Sequence, residues 1–293
     1  MSNQQPIVSV VMITYGHEKY IQEAIKGVFM QHTDFPVELI IANDCSPDNT
    51  DQVVKNLMAN APENVMIKYT RHEGNVGMTS NFGWALNQVT GKYVAVCEGD
   101  DYWTDPLKLR KQVDFLEQHR QFVLCFTDRN ILQNDILDVT AELYERQSFD
   151  KKEIPYIHIP TLTVLFRNHV NEIPRQLYGS LIDTSLFIFL SQFGKFYFVK
   201  DKTAVYRIHA GGIYSGNTDL INFARSAKAR LYSWIYLKKI DKISLADNLI
   251  FCYRLKKHSA IRDKSYMAAL SSTMIESFFI LYLFVAKKLQ RIN

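Results

Sequence analysis

The first 126 residues alternate between two hydrophobic periods, and that alternation limits the chain to one fold class. Residues 7–14 are a run of β-branched and other apolar side chains and read as a buried strand. Tyr20, Ile21, Ala24, Ile25, Val28 and Phe29 then recur at helical spacing. The pattern repeats with strands at 37–42, 65–70, 92–97 and 122–126. Between them lie helices from about Asp48 to Met58, over 79–89 with Gly91 as its C-terminal cap partner, and from Pro106 to about His119. Strands alternating with helices at this spacing predict an α/β fold with a mostly parallel sheet flanked by helices. Ligands of such sheets bind beyond the carboxyl ends of the strands. Asn43-Asp44 and Glu98-Gly99-Asp100-Asp101 both follow strands, so both are expected on that edge.

The later chain is less regular. Residues 128–178 hold Pro155, Pro160 and Pro174 and read as loops with a short strand near 161–167. Residues 186–192 read as a helix, 195–200 and 203–208 as two strands, and 222 onward as helical. The expected division is 1–221 as a catalytic region, with halves 1–126 and 127–221, and 222–293 as a helical extension. That extension carries 14 lysines and arginines against 4 acids, whereas the whole chain is only +4. Such a basic tail suits membrane headgroups ahead of nucleic acid, which is not an expected partner. Phe278 to Val285 are apolar and are flanked by Lys287, Lys288 and Arg291, a pattern that can lie in a membrane interface. A buried terminal helix is the plainer alternative. No uninterrupted apolar stretch reaches the roughly 18 residues of a span, and residues 1–13 lack the pattern of a secretory leader. Four scattered cysteines form no C-x-x-C pair, which points to a reducing, cytoplasmic setting.

Glu98, Asp100 and Asp101 place three carboxylates in four residues, which repel one another unless a cation intervenes. Hard oxygen ligands of this kind suit Mg²⁺ or Mn²⁺ held together with substrate phosphates. A plain acidic loop is the competing reading, weakened by the strand in front of it. Asp44 can accept hydrogen bonds from a ribose or a base, and Asp48 fits a helix cap better. The turn Thr14-Tyr15-Gly16-His17-Glu18 has neither G-x-G-x-x-G nor G-x-x-x-x-G-K. A dinucleotide enzyme and a P-loop ATPase are thereby disfavoured, and Tyr15 is offered for stacking on a base.

Taken together, these segments resemble the family 2 glycosyltransferases. The resemblance rests on residues 7–15, Ile41-Ala42-Asn43-Asp44-Cys45-Ser46, Asn75-Val76-Gly77 with Asn81, 91–95, and Glu98-Gly99-Asp100-Asp101, in that order. It resumes at 183–216 and is absent after about 225. It implies a GT-A fold, a nucleoside-diphosphate-sugar donor, Mn²⁺ or Mg²⁺, inversion at the anomeric carbon and a role in surface polysaccharide assembly. By motif, Thr14, Tyr15, Glu18, Asp44, Asn75, Asn81, Glu98, Gly99, Asp100 and Arg207 would bind the donor. Asp100, Asp101 and His209 would hold the metal. Asp183 would be the general base, with a helix cap as its alternative. Gly211 and Gly212, in the motif that runs to Gly216, would let a loop close over the donor. Glu98 departs from the Asp of many relatives. Residues 159–168 are expected to face a glycan or lipid-linked oligosaccharide acceptor, and Tyr102 and Trp103 to stack on a sugar ring or, for Trp103, to pack in the core. Peripheral contact with the inner face of the cell membrane follows for a lipid-linked acceptor. Three rivals stand beside this reading: a sugar-1-phosphate nucleotidyltransferase, which lacks its Gly-rich loop here, a polyprenyl-phosphate glycosyltransferase, and a non-enzymatic nucleotide-sugar-binding relative.

Overall fold

The computed structural model describes residues 5–139, 141–212 and 216–290. Ile213, Tyr214, Ser215 and Arg291, and the side chain of Lys288, lie outside them. The chain divides into two compact units. One holds Met1–Phe149, His158–Ile173 and Phe193–Gly212; the other holds Asp150–Ile157, Pro174–Gln192 and Ile213–Asn293.

The first unit carries the sheet. Its elements are β1 (Val8–Thr14), α1 (Ile21–Phe29), β2 (Val37–Asn43), α2 (Thr50–Met58), β3 (Val65–Arg71), α3 (Met78–Leu86), β4 (Tyr93–Val96), β5 (Tyr102–Trp103), α4 (Lys108–Gln118), β6 (Phe122–Gln133), β7 (Ile136–Asp138), β8 (Ser148–Phe149), β9 (Leu165–Arg167) and β10 (Lys195–Ile208). The strand order is β3-β2-β1-β4-β9-β6-β10-β5, with β7 on β6 and β8 on β10. The long ladders β1–β2, β2–β3, β1–β4 and β6–β10 are parallel, while the short strands β5 and β7–β9 pair antiparallel. This is the α/β fold with a mostly parallel sheet that the alternation predicts, and it matches the GT-A fold that the resemblance implies.

β1 and β2 are apolar without alternation because helices cover both faces of the sheet. Ile21, Ala24, Ile25 and Val28 of α1 bury one stripe at helical spacing against it. Deep in β2, the buried Glu38 is held by Ser9, by Thr90 N (2.6 Å) and by Lys68 Nζ (2.5 Å). These partners outweigh burial and draw its carboxyl below the usual range.

Several expected boundaries move. β6 runs on to Gln133, through a polar stretch read as loop, because β10 pairs with it along its length and β7 folds back on its end. The two strands expected at 195–208 are one, β10, whose register shifts around Lys202 absorb the polar Asp201-Lys202. The segment at 161–167 is a 3₁₀ turn (Thr161–Thr163) followed by β9. α3 stops at Leu86, so Gly91 does not cap it; a Cβ on Gly91 would sit 2.8 Å from Ser9 N, and the residue instead lets β4 enter beside β1. Trp103 packs in the core rather than facing a sugar. Its indole donates to Leu162 O (2.7 Å), and the buried Lys108 lies over its ring.

The second unit is helical: α5 (Asp183–Leu190), α6 (Asp219–Tyr236), α7 (Lys242–Arg262) and α8 (Tyr266–Gln290), with short 3₁₀ turns. Thr218 and Asp241 cap α6 and α7 through Ile221 N and Ser244 N. α8 buries a narrow seam of Ser272, Glu276, Phe279 and Leu283, with Glu276 paired to Arg254 (2.7 Å) and Lys257 (2.9 Å) of α7. Met267, Leu270, Met274, Phe278, Leu281 and Phe284 are exposed. No unbroken apolar run spans α8, yet across its serines and the paired Glu276 its 22 residues Tyr266–Lys287 are long and apolar enough to cross a membrane, with 28 % of the apolar window buried.

Candidate functional site

Three parallel strand ends build the candidate site. Because β1 lies between β2 and β4, Thr14, Asp44 and the segment Glu98 to Asp101 emerge on one edge of the sheet. Backbone bonds lock the edge together: Asp44 N donates to Thr14 O (2.9 Å) and Gly99 N to Ile13 O (2.9 Å).

On the β2 side, the polar groups are turned into the fold. The Asp44 carboxylate is buried and accepts from Val76 N (2.7 Å) and Gly77 N (3.0 Å). Asn75 Oδ1 also accepts from Gly77 N (3.0 Å). Asn81 donates to Ala42 O (2.9 Å) and pairs through its Oδ1 with His72 Nε2 (2.9 Å). Asp44, Asn75 and Asn81 thus shape the loop from 72 to 81. After β1, Glu18 Oε2 accepts from Asn49 N (2.9 Å), and Glu18 N donates to Asp48 Oδ2 (3.0 Å). Asp48 Oδ1 accepts from Thr50 N (3.1 Å) and Thr50 Oγ1 (2.6 Å) in the turn before α2, while the N-cap position itself is Asn49. Tyr15, between these ties, is exposed at 48 % and presents its ring to solvent.

On the β4 side, side chains converge on Asp100. His209 Nε2 lies 3.1 Å and His17 Nε2 3.7 Å from Asp100 Oδ2. One ligand atom from each of the three falls within 4.8 Å of the others. Thr14 Oγ1 lies 3.2 Å from His17 Nδ1 and orients that ring. The approach is tight: a Cβ on Gly99 would meet Thr14 Oγ1 at 2.7 Å, so only glycine lets β4 turn here. Burial works against the Asp100 charge, but the hydrogen bond from His209 and the field of His17 prevail and lower its pKa. Burial lowers the His17 pKa, opposed by Asp100 and reinforced by His209. His17 is therefore held toward the neutral form that ligates metals.

Asp101 has a different place. Its buried carboxylate accepts from Arg207 N (2.8 Å) rather than joining the trio. Burial, then the charges of Asp100 and Glu98, push its pKa well above the carboxylate range. Arg207 donates to Asp100 O (2.7 Å), pairs with Glu23, and stacks between Tyr20 (5.1 Å) and Tyr102 (4.5 Å). Glu98 is half-buried beside them, its carbonyl accepting from Asp101 N (3.1 Å). Asp183, in the helical unit, is the first residue of α5, and its carboxylate accepts from Thr184 N (2.5 Å) and Thr184 Oγ1 (3.2 Å).

The donor set of one carboxylate oxygen and two imidazole nitrogens fits a divalent cation, so Asp100 and His209 can hold one. Sequence reasoning left out His17, Tyr20 and Glu23. His17 stands in the turn after β1, and its position at a strand end is the available signal.

The His17, Asp100 and His209 trio thus lies at the carboxyl edge of the parallel strands, where ligands of open α/β sheets bind. The chain belongs to glycosyl transferase family 2, whose pattern matches residues 9–173. It is 35% identical over 222 residues to the uncharacterized protein Rv1520 of Mycobacterium tuberculosis, covering 74% of this chain and 63% of that relative. The chain therefore spans less than two thirds of that relative's length. Two solved structures share the fold. S. aureus TarS 1-349 in complex with UDP-GlcNAc aligns at a TM-score of 0.56, with 16% identity over 94% of this chain and 91% of that one. The mannosyltransferase PcManGT from Pyrobaculum calidifontis, in complex with GDP-Man and Mn²⁺, aligns at 0.55, with 14% identity over 95% and 86%.

Proposed function

We propose that the chain is an inverting, metal-dependent glycosyltransferase. It moves a sugar from a nucleoside-diphosphate sugar to a hydroxyl of a glycan or lipid-linked acceptor in surface polysaccharide assembly. The observation that carries the reading is the convergence of His17, Asp100 and His209 at the carboxyl edge of a family 2 sheet. The nucleotide-sugar complexes of TarS and PcManGT support the donor class, and the Mn²⁺ of PcManGT supports the cation.

In this mechanism the loop shaped by Asp44, Asn75 and Asn81, with Tyr15 and Glu18, receives the nucleoside. Asp100 and His209 would hold Mn²⁺ or Mg²⁺, which would supply positive charge to offset that of the diphosphate. Glu98, Gly99 and Asp101 set the course of the segment carrying Asp100. Arg207 fixes that segment through the Asp100 carbonyl and adds positive field toward the leaving diphosphate. Asp183 takes the acceptor proton as the acceptor oxygen bonds the anomeric carbon. The carbon–phosphate oxygen bond breaks on the opposite face, and its electron pair leaves with the nucleoside diphosphate, which inverts the configuration.

The test is release of nucleoside diphosphate from a panel of UDP-, GDP- and dTDP-sugars with Mn²⁺ or Mg²⁺. Release from one donor, lost in Asp100→Asn and in EDTA, is the expected result. Neither turnover nor calorimetric binding of any donor would sink the reading. The exposed apolar face of α8 and the basic tail support peripheral contact with the inner face of the cell membrane. Cosedimentation with anionic liposomes, weakened by Leu281→Glu with Phe284→Glu, is expected; equal recovery in the supernatant would remove that contact.

A further inference from the structure

We infer that His17 is a third protein ligand beside Asp100 and His209, and that the resulting two-imidazole, one-carboxylate set selects a first-row transition ion such as Mn²⁺ over Mg²⁺. The inference rests on the reading above that a divalent cation sits at Asp100.

The geometry carries it. His17 and His209 approach the same oxygen, Asp100 Oδ2, from two sides, at 3.7 and 3.1 Å. Their rings lie edge to face with centroids 6.0 Å apart, so both Nε2 atoms turn toward Asp100 instead of stacking on one another. Ligands about 2.1 Å from one metal lie roughly 3 to 4 Å from each other. The trio spans up to 4.8 Å, so a shift of under about 1 Å closes it around a cation.

His17 is also supported as metal-binding histidines are. Thr14 Oγ1 engages the ring nitrogen remote from Asp100, at 3.2 Å, and so fixes the ring plane. The backbone around the ring is fixed as well. His17 N donates to Thr50 Oγ1 (3.0 Å), and His17 O accepts from Tyr20 N and Ile21 N at the start of α1. The side chain is 13 % exposed, close to the 14 % of His209. A histidine whose only task was to pack would not need its outer nitrogen aimed at a carboxylate that a second histidine already meets.

Ligand chemistry then sets the preference. Mg²⁺ demands oxygen ligands and gives up water reluctantly. Imidazole nitrogen favours first-row transition ions, and each added imidazole widens the gap. A site of Asp100 with His209 alone would discriminate less than one with both histidines.

The experiment uses the full chain with Mn²⁺, alone and with UDP or GDP, and follows free Mn²⁺ by electron paramagnetic resonance with Mg²⁺ as competitor. Histidine-to-manganese couplings are read by electron–nuclear double resonance. Wild type is compared with His17→Gln, His17→Asn and Asp100→Asn. Asn can keep the contact with Thr14 but not the outer ligand atom, so it separates ligation from folding. The expected result is two inequivalent imidazole couplings in wild type and one in either His17 variant. Mn²⁺ affinity should fall about tenfold or more while Mg²⁺ affinity changes less. Unchanged couplings and an unchanged Mn²⁺ to Mg²⁺ ratio in both variants, with binding lost in Asp100→Asn, would overturn the inference and leave the metal reading standing. No Mn²⁺ bound by wild type, with or without nucleotide, would overturn both.

Discussion

Asp44 and Asp100 look alike along the chain and differ in the fold. Each follows a buried parallel strand and lies at the same sheet edge. Yet both Asp44 oxygens are taken by backbone N–H groups of the next loop, while one Asp100 oxygen is faced by two imidazoles. An acid at a strand end can build a loop or wait for a ligand. What separates the two outcomes is which donors the topology brings to it. At Asp44 these are amides from 76–77; at Asp100 they are side chains from positions 17 and 209.

The comparison breaks first at Asp100. Asp100→Asn is isosteric and leaves the main-chain bond to Arg207 intact. Activity should therefore fall by about 10³-fold, with little change in melting temperature, because the lost charge matters to the bound cation and diphosphate. A variant that melts far lower but retains turnover would put Asp100 in the structural class of Asp44.

Asp44→Ala should behave in the opposite way. It leaves two backbone N–H groups in a buried loop without their acceptor, at a cost of about 2–5 kcal/mol in unfolding free energy. Donor affinity should weaken along with it, since the 72–81 loop loses its anchor. Chemical denaturation of wild type and variant provides the check, and a stability change below about 0.5 kcal/mol would refute the loop-building role.

Gly99→Ala sharpens the comparison by pressing on the junction of the two sides. The new methyl would meet Thr14 Oγ1 at 2.7 Å and Ile21 Cδ1 at 2.9 Å. Overpacking of this kind costs about 1–3 kcal/mol. It also displaces Thr14 from His17, so Mn²⁺ affinity should drop in step with stability. A destabilised variant with intact Mn²⁺ binding would show that the Thr14 contact does not position the ring.

What the sequence discloses follows from range. β1, β2 and β4 were readable because burial on both faces leaves mainly apolar runs, a purely local signature. The polar end of β6 was not, since Asp128 to Gln133 are strand only through β10 and β7, partners distant in sequence or folded back beyond the turn. The same division holds at the site. Asp100 and His209 stand in recognisable segments. His17 is a lone histidine in a turn until the sheet closes a gap of 83 residues to Asp100. Nor does any local signal tell that Asn81 spends both ends of its amide on Ala42 and His72.

The smallest expected effect separates neighbours. Asp100 and Asp101 shift in opposite directions without metal, the first lowered by His209 and His17 against its burial, the second raised by burial and by Asp100 and Glu98. A carboxyl lowered on folding stabilises above its unfolded pKa, and that contribution is lost as pH falls through the folded value. A carboxyl raised on folding does the reverse: the folded state keeps its proton longer, and stability falls as pH climbs above the unfolded value near 3.8. In EDTA, the stability of Asp101→Asn relative to wild type should therefore rise as pH goes from acid to neutral, while that of Asp100→Asn should fall. Urea melts across this range give the two slopes directly. Slopes of the same sign would mean that the two carboxylates share one environment, and that the split between a ligand-ready acid and a buried structural one does not hold even between adjacent residues.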